Sequence, residues 1–176
     1  MLAFIRNLLF DTSGHNAEER LGKSLPHIEA TLTGMDKEEA RKLACFAYIL
    51  GRVAMADQEV TPVEEKAIEV ILRDVGQMKP ADAQLLSALA REKRTLFGGL
   101  DDFQVTKIYT ELTTEEEKLR LLDCLFAVAA ADEMVHVVEE EDIRQISIGL
   151  GLRHAQYIAA RQRVTAYRAV MQDTSS

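Results

Sequence analysis

Two short stretches concentrate the residues best able to do chemistry. Residues 54–65 read AMADQEVTPVEE and residues 129–141 read AAADEMVHVVEEE. Each has small residues, an Asp, a gap, a Val and paired glutamates. Carboxylate oxygens at this density suit hard cations, which take several oxygen ligands at once. The candidate ligands are Asp57, Glu59 and Glu64 in the first stretch and Asp132, His136 and Glu139 in the second. The same residues have structural work available. Thr61-Pro62-Val63-Glu64 has the form of a capping box, with Pro62 at the first helical position. His136 and Glu139 hold the matching places in the second stretch.

Known cation motifs narrow the chemistry. In an EF-hand loop opened at Asp57, the required Gly is Pro62 and the closing Glu is Ile68; opened at Asp132, they are Val137 and Ile143. Both fail. A carboxylate-bridged di-iron bundle needs two Glu-x-x-His pairs inside helices, and only Glu133…His136 has that spacing. The run Glu139-Glu140-Glu141-Asp142 suits the first turn of a helix by its dipole, yet its carboxylates repel each other and a bound cation would relieve them. No nucleophile elbow, phosphate-binding loop or dinucleotide fingerprint is present, so no motif points to an enzyme.

The elements that position these stretches are helices. Leu43, Phe46, Ala47, Leu50 and Val53 recur at three- and four-residue steps, and so do Ile68, Ile71, Leu72 and Val75. Leu119, Leu122, Leu125 and Phe126, then Ile143, Ile146 and Leu150, continue the pattern toward Tyr157, Ile158 and Val164. Asp36, Thr61 and Thr113 or Thr114 are helix-start signals, while glycines near 76, 98, 149 and 151 mark ends. Period-two alternation is absent. The pattern predicts an all-α fold of about eight helices.

The two acidic stretches belong to a longer repeat. Asp57 and Asp132 stand 75 residues apart, and at that step Leu50 meets Leu125, Val60 meets Val135, Glu64 meets Glu139 and Ile68 meets Ile143. Two helix-turn-helix units, around 38–75 and 113–150, are expected to pack about a pseudo-two-fold axis over one core, since neither can bury its apolar face alone. A single domain is expected over residues 15–172, preceded by an amphipathic helix over 1–14 carrying Leu2, Phe4, Ile5, Leu8 and Leu9.

Composition limits the partners. The chain has 176 residues and a net charge of −8, and only 6% of its residues are aromatic, with no Trp. Duplex binding requires a basic stripe and single-strand binding an aromatic platform, so no nucleic acid is expected. Cations or basic protein surfaces fit the charge. Cys45 and Cys124, each in an apolar run with no CxxC, read as free buried thiols of a cytoplasmic protein. Residues 1–10 fit docking on the protein's own body or on another subunit better than peripheral membrane contact.

The doubled pattern A-D-x-x-V-x-x-x-E-E between helices resembles the TerB family, the tellurite-resistance-associated all-helical domain, in its stand-alone bacterial branch. The family turn runs approximately D-G-E-I-S-P-E-E. Asp57, Glu59, Val60, Thr61, Pro62 and Glu64 follow it, as do Asp132, Val135 and Glu139. Gln58 and Glu133 replace its Gly, and Met134 replaces its acidic residue in the second unit, which makes the first unit the better candidate. The resemblance implies a non-enzymatic binding module with protein partners in a tellurite-type stress response. It also implies a divalent cation, Ca²⁺ or Mg²⁺ ahead of Zn²⁺. The other function class is a metal-free helical scaffold whose acidic face docks basic partners, as a monomer or homo-oligomer.

Overall fold

The computed structural model describes residues 8–9, 30–54, 60–92, 101–131 and 137–173, with side chains at 137–139 and 166–173 outside the description. Seven helices carry the described chain: α1 (Lys37–Ala54), α2 (Pro62–Asp74), α3 (Pro80–Arg91), α4 (Asp102–Leu112), α5 (Glu115–Ala131), α6 (Val137–Gly149) and α7 (His154–Asp173). Among the described residues there is no strand, so the fold is all-α as the periodicity predicts.

The helices start where short polar side chains satisfy free backbone N–H groups. Asp36 Oδ1 accepts from the N–H groups of Glu38 and Glu39 at 2.9 and 3.2 Å. Thr61 and Glu64 form a complete capping box with Pro62 at the first position of α2. Thr114 and Glu117 form another at the start of α5: Thr114 N–H donates to Glu117 Oε2 at 2.8 Å, and Glu117 N–H to Thr114 Oγ1 at 3.3 Å. Asp101 caps α4 through the N–H of Gln104.

The 75-residue repeat is present in the backbone. From Pro62 to Val137 and from Asp74 to Gly149 is the same step, so α2 and α6 occupy identical stretches of their units. Their packing is reciprocal: α2 of the first unit lies on α5 of the second, and α6 of the second lies on α1 of the first. The central helices α1 and α5 also pack on each other, and each carries its own unit's third helix, α3 or α7. Leu50 and Leu125, equivalent in the repeat, are both fully buried. One continuous core joins both units.

Both thiols are free and buried. Burial pushes each up to about 12, so they stay protonated near neutral pH and pack as small apolar groups. At the other end of α1, Leu9 is fully buried and its carbonyl accepts from Arg41 Nη2 at 2.7 Å. That end of the expected N-terminal helix is docked on the protein body; the rest of residues 1–14 lies outside the described residues. Among the described residues no helix is long and apolar enough to cross a membrane.

Candidate functional site at the inter-helix turns

In the first unit α1 ends at Ala54 and α2 begins at Pro62. Val60 is buried just before the cap. Glu64 Oε2 accepts from Thr61 N–H at 2.7 Å, which commits that oxygen to its own helix start. A carboxylate has further lone pairs, so capping alone does not remove Glu64 from a ligand set. Its neighbour Glu65 is bound to Arg91 Nη1 at 2.6 Å. In the second unit α5 ends at Ala131 and α6 begins at Val137. Asp57, Glu59, Asp132 and His136 lie outside the described residues. Glu139 stands in the first turn of α6, with its side chain outside the description. Among the described residues no group of three or more His, Cys, Asp or Glu is arranged to hold a metal ion.

The starts of the two turns come together. Ala54 at the end of α1 and Ala131 at the end of α5 line one groove of about 260 Å³, with Val60, Val63 and Glu64 along another side. The reciprocal packing produces this, because each central helix packs against helices of both units.

The acidic run of α6 meets arginines from its own helix and from two others. Arginines pair with each of its described carboxylates. Arg161 meets Glu140 at 2.9 Å, Arg144 meets Glu141 at 2.6 Å, and Arg52 meets Asp142 at 3.0 Å. Hydrogen bonds from Arg144 and Gln145 hold the Glu141 carboxyl down to about 2. Arg144 lies one helical turn away in sequence, but Arg52 and Arg161 arrive from α1 and α7. Arg52 also reaches Asp102 on α4 at 3.4 Å, and the Tyr48 hydroxyl donates to that same carboxylate. Burial, with Asp102 adding to it, raises the Tyr48 phenol well above its usual value, so it remains a donor.

A second cleft, of about 160 Å³, opens where the units meet, with Phe46 and Tyr109 among its apolar lining and Glu39, Lys42 and Glu117 among its polar lining. Lys42 Nζ sits 2.9 Å from Glu39 and 3.2 Å from Glu117. Lys42 and Glu117 are 75 residues apart, so they are the same repeat position meeting itself across the pseudo-two-fold axis. Identical residues there would repel, and opposite charges let the axis close. The repeat arithmetic contains this pair, although periodicity alone does not say where the axis passes.

The Glu39 hydrogen bond leads in raising the Lys42 ammonium, with burial opposing and Glu117 adding to it. Burial pushes the Glu117 carboxyl up, but the Thr114 N–H and Lys42 outweigh it and leave a net fall. The pair therefore contributes between the unfolded values of about 4.3 and 10.4, and is lost as pH leaves that window through either shifted group. Both side chains are partly solvated, so the coupling is modest. Lys42→Glu combined with Glu117→Lys is expected to be about 0.5–1 kcal/mol more stable than the sum of the single changes, read by urea titration at pH 7. Strict additivity would mean the contact carries no energy.

No curated protein and no solved structure matches the chain. A family model described as tellurite resistance protein TerB matches residues 42–162, from the middle of α1 into α7. That span takes in all but the first few residues of the first helix-turn-helix unit, the whole of the second, and the two acidic turns. The chain belongs to the TerB family.

Proposed function

We propose that this chain is a non-enzymatic TerB-type binding module that takes a divalent cation through its acidic inter-helix turns in a bacterial, tellurite-type stress response. One observation supports the reading above others. Ala54 and Ala131, the residues from which the two turns depart, line the same groove. Asp132 follows Ala131 directly in the chain, and Asp57 follows Ala54 by three residues. In this reading Asp57 and Asp132 supply oxygen ligands from both units to one hard cation. Glu64 at the groove wall would add another, and His136 a nitrogen.

The test is a thermal melt of chelator-stripped protein titrated with Ca²⁺, Mg²⁺, Mn²⁺ and Zn²⁺. A cation at 100 times its dissociation constant stabilises by about 2.7 kcal/mol, a rise of roughly 5–10 °C for a chain of this size. The rise is expected with one ion and is expected to vanish in Asp57→Asn and Asp132→Asn. Asn keeps the turn-forming character of Asp and removes its charge. A flat response to all four ions would overturn the cation reading and leave the metal-free interaction module.

A further inference from the structure

The α2–α5 and α1–α6 contacts are equivalent in the repeat, and they differ in charge at a pair of matching positions. In the second, Arg52 on α1 reaches Asp142 on α6 at 3.0 Å. Seventy-five residues away, the matching positions in the first are Ala127 on α5 and Ala67 on α2, two helices that also pack together. An ion pair stands on one side of the pseudo-two-fold axis and two methyl groups on the other. Beside those methyls runs the apolar groove of about 260 Å³, with Ala67 and Val128 in its wall.

The groove continues onto a stripe that Val63 and Ala67 leave exposed and that Ile71 joins to the core. Val63, Ala67 and Ile71 on α2 all line it, at a spacing of i, i+4, i+8, which covers about 12 Å of helix. Val63 is 80% exposed and Ala67 is exposed as well. An exposed large apolar residue at a helix start, continuous with an apolar groove, is uncovered surface of the kind that marks an interaction site.

We propose that this groove and the Val63, Ala67 and Ile71 stripe dock an amphipathic helix of a partner protein, apolar along one side and basic along its flanks. Shape argues for a helix. The surface is open and two turns long, so it matches side chains at i, i+3 or i+4 and i+7 laid along it. Charge argues for the basic flank: among the described lining residues the charged one is Glu64, and the chain carries a net −8. The groove is the one the cation reading uses, so the test runs with chelator present and its failure is distinguishable from the failure of that reading.

The experiment records amide and methyl shifts of labelled full-length protein. The probe is a synthetic helical peptide with leucines at i, i+4 and i+7 and lysines elsewhere; the control is a scrambled peptide of the same composition. Saturable shifts are expected at Val63, Ala67, Ile71 and Val128, and not with the scrambled peptide. Ala67→Asp and Val63→Asp, both at exposed positions, are expected to keep the melting temperature and weaken binding by about tenfold or more, since each sets a charge against an apolar contact. Four outcomes overturn the proposal: no saturable shift, equal binding of the scrambled peptide, shifts confined to other surfaces, or full affinity in both variants. If the same residues shift on concentration alone, without peptide, the occupant is a second copy of this chain and the proposal fails in that form.

Discussion

Leu50→Ala and Leu125→Ala are each expected to destabilise the protein by about 2–5 kcal/mol, with the melting temperature falling by roughly 5–15 °C. Both side chains are fully buried, and truncation leaves a cavity that close-packed neighbours fill only in part. They are the same repeat position in α1 and α5. The stronger expectation concerns cooperativity. Because α2 packs on α5 and α6 packs on α1, a cavity in either central helix removes contacts from both units. Each variant is therefore expected to unfold in one transition, with calorimetric and van't Hoff enthalpies equal. A second transition in either variant, or a cost below about 1 kcal/mol at one position only, would show that the units are energetically separate.

Helix type and helix starts were legible because their causes are local. The capping box at Thr61 and Glu64 needs only residues three apart, and the structure builds it with both hydrogen bonds. The repeat was legible because α2 and α6 keep their apolar positions in step. Partner choice was not legible. Glu140 and Asp142 read as mutually repelling carboxylates because Arg161 and Arg52 are remote in sequence and reach them through tertiary packing. The groove was invisible for the opposite reason: Ala67 and Ala127 are unremarked residues until the other half shows an ion pair in their place. Of the six cation-ligand candidates, Glu64 alone has a described side chain.

The largest single-residue effect outside the leucines is expected at Gly76, and its cause differs from what a helix-ending glycine suggests. Gly76 and Gly151 are equivalent in the repeat, and both read as glycines that let the chain turn out of a helix. Gly151 does this, with φ of 73° and open space where a Cβ would stand. At Gly76 the requirement is space. A Cβ there would lie 2.5 Å from the Leu72 carbonyl oxygen and 3.0 Å from Cys124 Sγ. The left-handed conformation falls instead on the next residue, Gln77, with φ of 53°. Gly76→Ala is thus expected to cost about 2–3 kcal/mol, because its Cβ would run into the Leu72 carbonyl in the last turn of α2. Cys124→Ala should not rescue it, because the nearer obstacle is backbone. Gln77→Gly is expected to stabilise by up to about 1 kcal/mol, since glycine adopts positive φ without the Cβ penalty. Urea titrations of Gly76→Ala, of Gly76→Ala combined with Cys124→Ala, and of Gln77→Gly separate the two causes. If Gly76→Ala costs under about 0.5 kcal/mol, or if Cys124→Ala restores it, the close backbone approach is not what holds glycine at this position.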